Sequence, residues 1–374
     1  MQWRLEKSKK SKYNVKRKAK AKKGGKALDK IMVALSGGVD SSAVAAILKE
    51  QGSEILGATL RLYDKDGEIS SDIADAKSVC EQLKIPHYVF DLREEFKNSV
   101  IKEFIGDYLN GLTPNPCTVC NKQIKFGEML KCMESVNASK IATGHYARLK
   151  KDDITGRTLL LKAKDQTKDQ TYMLYSLSQQ QLGSAVFPLG ELTKAEAREI
   201  AEKEGLITSR KSDSQDICFV PDGDYAAFIE KALGVPSEKG NYLNVQGEII
   251  GRHGGVIRYT VGQRKGLGVA FGRPQFVIGK NAADNTVILG DEEHLFKTRI
   301  EVKNINYIPF DSLSSKVRVK AKLRYRHVAD DAWLIPLGED SAVLEFDRPQ
   351  RAPTPGQAAV FYDGDIVIGG GIII

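Results

Sequence analysis

The sequence predicts an α/β fold in which a doubly wound parallel sheet is followed by a small middle domain and a C-terminal β-barrel. From about residue 30, short β-branched runs alternate with longer helical segments, which is typical of parallel βαβ units. After about residue 225 the helical periodicity fades, and Gly, Pro and alternating Val or Ile become frequent. We place the domain limits at 27–225, 226–295 and 296–374, preceded by a basic flexible arm at 1–26.

The elements of the first domain follow from hydrophobic spacing. A further amphipathic helix is indicated by apolar residues that recur every three or four positions between Phe96 and Tyr108. Ligands of doubly wound sheets lie beyond the carboxyl ends of the strands, which here means the loops after Leu35 and Thr143. The predicted strands are Ile31–Leu35, Glu54–Leu62, His87–Leu92 and Lys140–Thr143, and the predicted helices are Ser41–Gln51 and Ser71–Leu83. Strands of the last domain are expected at Val317–Leu323, Ala342–Phe346, Ala358–Phe361 and Ile366–Ile374.

The composition excludes some classes of protein. With 374 residues and 41% hydrophobic content, the chain can build two or three apolar cores. Its longest apolar runs, such as 43–48, are far shorter than the roughly 20 residues that span a bilayer, so no membrane segment is expected.

The net charge of +8 is concentrated at the N-terminus. Residues 1–30 hold 13 Lys or Arg against only Glu6 and Asp29, a local charge of +11 that leaves the rest of the chain at −3. Such a Lys-rich block is usually a solvated tail, whereas an arm that binds nucleic acid would add salt-dependent affinity through phosphate contacts. A transit peptide fits poorly, because such segments favour Arg and Ser.

A glycine-rich loop, Ser36-Gly-Gly-Val-Asp-Ser-Ser42, connects the first predicted strand to the first predicted helix. Backbone N–H groups at a helix N-terminus favour an anion, and three serine hydroxyls could surround it. The two glycines allow a close approach that a Cβ would block. No Gly-Lys-Ser/Thr follows, so this is not a Walker loop.

Five cysteines, an odd number, indicate a reducing compartment and chemical use of some thiols. Cys80 and Cys132 lie in segments with helical spacing and are expected to be small core residues. Cys117 and Cys120 form a CxxC pair, and Cys218 is distant. Three thiolates could hold a [4Fe–4S] cluster with one open iron site. A structural zinc site would need four ligands, and a thioredoxin-like redox pair is a further alternative.

Several segments together resemble the tRNA-specific 2-thiouridylase family of the PP-loop ATP pyrophosphatase superfamily. The similarity runs from about residue 30 to the end and leaves only the basic arm outside. It implies ATP-dependent 2-thiolation of the wobble uridine of tRNA, in which the C2 oxygen is adenylated and then replaced by sulfur. The segments are the loop 36–42, Thr113–Phe126, Ala142–Ala147, Lys168–Tyr172, Asp213–Phe219 and Tyr259–Gly268.

The resemblance implies roles for the cysteines. Cys218 matches the family's persulfide carrier and Cys120 its nucleophile, so that turnover would leave a Cys120–Cys218 disulfide to be reduced. A nearby cation or helix N-terminus would lower the thiol pKa, and Cys120 directly precedes a helical segment that begins Asn121-Lys122. The family's best-known members carry an Asp, with an implied acid/base role, where this chain has Cys117. This difference leaves open whether sulfur travels by persulfide relay or on a [4Fe–4S] cluster held by the three cysteines.

The resemblance also implies an ATP site and a tRNA surface. Asp40 could help to bind the Mg²⁺ carried by ATP. His145 is expected to position the tRNA, although a general base or a purely structural histidine would also fit. The expected ATP-binding residues are Ala34, Leu35, Ser36, Gly37, Gly38, Val39, Asp40, Ser41, Leu60 and Gly144. The expected tRNA contacts are Asn115, Pro116, Cys117, His145, Lys168, Asp169, Gln170, Arg324, Tyr325 and Gln357.

The expected partners are the tRNAs for Lys, Glu and Gln and a sulfur donor such as a cysteine desulfurase or a relay protein, all in the cytoplasm. Two alternatives to 2-thiolation are kept. One is another PP-loop reaction, either a different tRNA thiolation or amide formation. The other is a catalytically inactive tRNA-binding protein.

Overall fold

The computed structural model describes residues 29–64, 71–211, 217–220, 222–269 and 272–374. Two predicted features lie outside these residues. They are the basic arm, 1–26, and residues 213–216 of the segment Asp213–Phe219. Within them, none of the helices combines the length and the apolar character needed to cross a bilayer.

A five-stranded parallel sheet forms the core of the first domain. Its strand order is β3-β2-β1-β4-β7, and every neighbouring pair is parallel. Because side chains alternate across a strand, Met32 faces one apolar core and Val33 the other. The sheet is therefore covered on both faces. The strands are β1 (Ile31–Ala34), β2 (Ile55–Arg61), β3 (His87–Asp91), β4 (Lys140–Ala142) and β7 (Ala185–Val186).

The helices divide between the two faces of this sheet. One face packs against α1 (Val39–Glu50), α2 (Ser71–Leu83) and α6 (Lys194–Lys203). The other packs against two long helices, α3 (93–109) and α4 (116–135), each of which contains π-type turns. Shorter helices are α5 (Gln179–Ser184) and α7 (Tyr225–Leu233), and 3₁₀ turns lie at Thr171–Met173, Pro188–Glu191, Ile207–Arg210, Val256–Arg258 and Glu292–Leu295.

Two more sheets follow in the chain. The middle sheet has the order β10-β11-β8-β9 and contains β8 (Gly240–Leu243), β9 (Ile249–His253), β10 (Phe276–Asn281) and β11 (Thr286–Gly290). The last six strands form a closed antiparallel barrel in the order β12-β15-β14-β13-β16-β17, because β12 also pairs with β17. They are β12 (Phe296–Tyr307), β13 (Val317–Lys322), β14 (Asp330–Pro336), β15 (Ser341–Arg351), β16 (Ala358–Asp363) and β17 (Ile366–Ile373).

A hairpin from the first domain joins the barrel. Its strands, β5 (Ala147–Lys151) and β6 (Thr158–Lys162), pair with each other, and β6 meets β17 where Leu161 lies opposite Ile366. Arg148 also donates to Asp365 at 2.8 Å. The hairpin connects the loop after β4 directly to the barrel.

The predicted fold class is confirmed, with a local correction. Helix α1 begins at Val39 rather than at Ser41, because Gly38 is its N-cap. The β5–β6 hairpin and helix α6 were not predicted, although Thr193 and Glu196 form a capping box at the start of α6 that the sequence pattern could have revealed. Cys80 and Cys132 are buried, as expected for core residues.

Candidate functional site

The glycine-rich loop lies between β1 and α1 at the carboxyl end of the parallel sheet. Gly37 has φ +68°, and a Cβ there would meet the Asp72 carbonyl oxygen at 2.6 Å. A Cβ at Gly144 would lie 3.0 Å from Ser41 N, so the loop after β4 closes over the first turn of α1. No side chain caps the α1 N-terminus, which leaves its first-turn N–H groups for an anion. These features fit a phosphate cradle.

The serine hydroxyls do not all surround one anion, as the sequence suggested. Ser42 is fully buried, and its hydroxyl donates to the Gly38 carbonyl at 2.9 Å. Ser41 donates to the same carbonyl at 3.1 Å and lies 3.3 Å from the Ser36 hydroxyl. Because α1 starts earlier than predicted, Ser41 and Ser42 stabilise its first turn. Ser36 is the hydroxyl best placed for a ligand.

Asp40 is held by two residues that the sequence analysis did not single out. Lys194 on α6 donates to both of its carboxylate oxygens, at 2.7 and 2.8 Å, and the Tyr146 hydroxyl donates at 2.8 Å. These partners engage both carboxylate oxygens, and a contact of Asp40 with magnesium stays a prediction. The contacts with Lys194 and Tyr146 fix the first turn of α1 beneath the loop.

Lys211 connects the loop to the end of the first domain. Its ammonium donates to the Gly37 carbonyl at 3.2 Å, to Asp72 at 2.6 Å and to Asp75 at 2.8 Å. Lys211 therefore joins the loop and the start of α2 to the chain segment that leads to Cys218. No pattern in the sequence marked this lysine.

The CxxC pair lies at the start of helix α4. Asn115 is the N-cap, and its side-chain oxygen accepts from Cys117 N at 3.1 Å, while Pro116 occupies the first helical position. The expected arrangement, in which Cys120 precedes a helix, is therefore wrong. Cys117 lies in the first helical turn, and Cys120 lies inside the helix and is buried.

Helix α4 widens to π-type turns from Cys120 to Glu128. Such turns free main-chain carbonyls from their usual partners and are frequent at functional sites. Gln181 on α5 satisfies two of them, since its amide donates to the Lys122 and Phe126 carbonyls at 2.7 Å each. A second Asn side chain, Asn121, donates to the Met173 carbonyl at 2.9 Å and ties α4 to the loop before α5.

Cys218 is held near the CxxC pair by its neighbour Phe219. The Phe219 ring packs edge-on against Phe96 and Phe104, with centroids 5.6 and 5.2 Å apart, and lies 5.3 Å from Phe228. Each such aromatic pair contributes about 1 kcal/mol beyond simple burial. The anchor leaves Cys218 exposed at the surface of the first domain.

The three thiols lie close enough to influence one another's pKa. Desolvation by the surrounding protein raises the pKa of the buried Cys120, and it also raises the pKa of Cys117 and Cys218, although both keep an exposed surface. The pKa of Cys218 rises to about 12, with further contributions from Cys120 and Cys117. The Lys125 ammonium opposes the rise at all three thiols. The expected cation, Lys122, is instead exposed to solvent.

The thiol group does not form a metal site in this arrangement. Across the described ranges, no three His, Cys, Asp or Glu side chains are arranged to hold a metal ion. All five cysteines are free thiols. The arrangement of the described residues therefore gives no support for a [4Fe–4S] cluster, which stays a prediction from the sequence.

His145 lies between the loop after β4 and the π-type segment of α4. Its Nδ1 lies 2.7 Å from the Thr143 hydroxyl, and its ring is about 6 Å from Phe126 and Phe187. Burial, and then Lys125, lower its pKa well below the usual value. The lowered pKa keeps the imidazole neutral at pH 7 and makes it a weak base, which suits contact with an uncharged base edge.

Besides Asn115 and His145, four of the expected tRNA contacts hydrogen-bond within the protein. Gln357 on the barrel donates to the Thr113 carbonyl at 2.7 Å and so supports the loop before Cys117. Asp169 is buried and accepts from Ala163 N and the Thr171 hydroxyl. The Gln170 side chain accepts from Tyr146 N, and Arg324 donates to the Arg351 carbonyl at 2.6 Å.

Two other expected tRNA contacts, Tyr325 and Lys168, lie near each other, and Tyr325 also lies near Cys117. Tyr325 is half-buried, its ring is 6.1 Å from Tyr172, and its pKa is raised by burial with contributions from Asp169 and Cys117. Lys168 is also half-buried and lowers the same pKa. Tyr325 brings the barrel to the edge of the cysteine group.

Comparisons with known proteins agree with this architecture. Residues 29–222 match the family model described as the tRNA methyl transferase HUP domain, 226–291 the tRNA methyl transferase PRC-barrel domain, and 297–373 the aminomethyltransferase beta-barrel domain. The tRNA-specific 2-thiouridylase MnmA of Clostridioides difficile is 46% identical over 352 residues, which cover 92% of this chain and 98% of the relative.

The chain belongs to the tRNA-specific 2-thiouridylase family. A second family member, from Acetivibrio thermocellus, is 47% identical over 354 residues, covering 92% of this chain and 99% of the relative. The predicted resemblance is thereby confirmed. The structure adds three lysines to the residues that the sequence predicts for a 2-thiouridylase. Lys194 and Lys211 lie near the glycine-rich loop, and Lys125 lies on α4, near His145 of the loop after β4.

Proposed function

We propose that this protein uses ATP to replace the C2 oxygen of the tRNA wobble uridine with sulfur. The proposal rests on the grouping of three cysteines in the domain that also holds the phosphate cradle. Cys218 is far from Cys117 and Cys120 in the sequence, but the fold brings it near them. The curated relatives named tRNA-specific 2-thiouridylase support it.

Adenylation is the first step. The loop 36–41 binds ATP through its main-chain N–H groups, with Ala34, Leu60 and Gly144 at its edges, and magnesium enters with the nucleotide. AMP is transferred to the C2 oxygen, pyrophosphate leaves, and the base loses its N3 proton. The buried residues of this set, Leu35 and Val39, contribute main chain only, because their side chains belong to the apolar core.

Sulfur transfer follows at the cysteines. Cys218 receives a sulfane sulfur and carries it as a persulfide. The Cys120 thiolate attacks the Cys218 sulfur, which forms the Cys120–Cys218 disulfide and expels hydrosulfide. Hydrosulfide attacks C2, AMP leaves with the former C2 oxygen, and the S–H proton passes to N3. A thiol reductant then restores the two thiols, which suits a protein of the reducing cytoplasm.

The tRNA must extrude one base to reach these groups. Asn115, Pro116 and Cys117 meet the target base, while His145, Lys168 and Tyr325 approach the tRNA around it. The internally bonded residues Asp169, Gln170, Arg324 and Gln357 shape this surface.

We further propose that the tRNAs are those for Lys, Glu and Gln, and that a cysteine desulfurase or relay protein donates the sulfur. The proposed domain limits are 27–225, 226–295 and 296–374.

The direct test combines the full-length protein with unmodified tRNA, ATP, magnesium and a persulfide donor. Nucleoside mass spectrometry should then detect 2-thiouridine at the wobble position, with one pyrophosphate released per sulfur inserted. Omission of ATP should abolish the product. Pyrophosphate release without thiolated nucleoside would favour an amide-forming PP-loop reaction, and neither product would favour an inactive tRNA-binding protein.

Replacement of Cys117 by Asp separates persulfide relay from a cluster. If Cys117 acts only near the target base, Cys117→Asp should keep thiolation within about tenfold of wild type, since a carboxylate can accept a proton in place of the Cys117 thiolate. The measurement is thiolation and iron content of both proteins after anaerobic purification. About four irons per chain in the wild type, lost together with activity in the variant, would contradict the relay.

A further inference from the structure

Lys125 lies on the π-type segment of α4, five residues after Cys120. In an α-helix that spacing would place the two side chains about 140° apart around the axis. In π-type turns, by contrast, hydrogen bonds link residues i and i+5, and the two residues stack one turn apart. The widened helix therefore brings Lys125 to the side of the helix that bears Cys120.

The surroundings of Lys125 leave its charge available. The side chain is half-buried, and among the described residues its ammonium makes no hydrogen bond and no ion pair. Its field is nevertheless felt at Cys117, Cys120, Cys218 and His145. In contrast, Lys194 and Lys211, the two lysines near the phosphate cradle, are each committed to carboxylates.

We propose that Lys125 stabilises negative charge on sulfur during the transfer from Cys218 to the tRNA. The inference rests on the proposed function, because it assigns a residue to the sulfur step of that reaction. Negative charge is present on the Cys120 thiolate before attack and on the expelled hydrosulfide after it, so a cation that faces the thiol group favours both states. Lys125 acts through the sulfur atoms and does not replace the nucleophile.

The support of the π-type segment by Gln181 strengthens this inference. Gln181 holds the carbonyls of Lys122 and Phe126, which flank Lys125 in the chain, at 2.7 Å. It is itself fixed by a capping box with Ser178 at the start of α5. The backbone on both sides of Lys125 is thus anchored, which fixes the position of Lys125 on the helix relative to Cys120.

The test measures thiol reactivity in the full-length reduced protein without tRNA, ATP or sulfur donor. The rate of alkylation of Cys120 by iodoacetamide is followed from pH 7 to pH 11 by peptide mass spectrometry. Lys125→Met and Lys125→Gln should shift the profile upward by about one pH unit, which slows alkylation about tenfold at pH 8. Lys125→Arg should restore the wild-type profile. Lys122→Met, which removes an exposed lysine of the same helix, should leave it unchanged.

An unmoved profile in both Lys125→Met and Lys125→Gln, with thermal melting like that of the wild type, would overturn the proposal. So would an equal shift in Lys122→Met, because the effect would then reflect net charge alone. The outcome is independent of the proposed function. A shifted profile in a protein that makes no 2-thiouridine would keep the effect of Lys125 on the Cys120 thiolate and refute the proposed reaction. An unmoved profile in a protein that makes 2-thiouridine would refute the role of Lys125 and keep the reaction.

Discussion

Cys120→Ala should abolish thiolation, with a loss of at least about 1,000-fold, because it removes the nucleophile that attacks the Cys218 sulfur and releases hydrosulfide. ATP–pyrophosphate exchange stimulated by tRNA should stay within about twofold of wild type, since the phosphate cradle and the tRNA surface are untouched. The two activities are measured on the same preparation, by nucleoside mass spectrometry and by exchange of labelled pyrophosphate.

The matched control is Cys132→Ala, which removes a buried thiol from the same helix. It should lower the melting temperature slightly and leave both activities intact. Full turnover by Cys120→Ala would reject the sulfur relay and favour an amide-forming PP-loop reaction.

Gly37→Ala should reduce ATP–pyrophosphate exchange by about 100-fold. The added Cβ would meet main-chain atoms of Asp72 at 2.6 and 2.7 Å, and backbone cannot move aside as a flexible side chain can. The loop or the start of α2 must therefore shift, and a displacement of about 1 Å in a positioning element costs about that factor in rate. The measurement is the exchange rate as a function of ATP concentration, together with ATP affinity by calorimetry.

Gly52→Ala is the control for backbone strain. Gly52 also has positive φ, +77°, but a Cβ there would meet nothing within 4 Å. Both variants carry the left-handed strain of about 1 kcal/mol, while only Gly37→Ala carries the clash. Equal losses of exchange in the two variants would show that stability, rather than the cradle, controls the activity.

Features that depend on local sequence pattern could be predicted from the sequence. The β-branched runs around Met32 and Leu56 predicted parallel strands, and the loop 36–42 predicted an anion site at their carboxyl ends. The start of α1 was placed two residues late, because Ser41 and Ser42 read as loop hydroxyls although they bond back to Gly38. A hydroxyl that donates back to a carbonyl at the start of its own helix looks the same in sequence as one that binds phosphate.

Features set by distant partners could not be predicted. Lys194 reaches Asp40 from 154 residues away, and no spacing rule connects them. The position of Lys125 depends on π-type turns that Gln181 supports from another helix. The sequence instead directs attention to Lys122, because the pair Asn121-Lys122 directly follows Cys120, but Lys122 faces solvent.

The β5–β6 hairpin has a consequence for how this chain can change over evolutionary time. Its strands belong to the first domain by sequence and to the barrel sheet by pairing. The barrel also supports the loop before Cys117 through Gln357. A barrel from an unrelated RNA-binding protein could not be recombined onto this enzyme as a cassette, because it would lack both the edge that receives β6 and the residue that supports the loop. Sequence change in the barrel is therefore limited by the contacts that the barrel makes with the first domain and its cysteine loop.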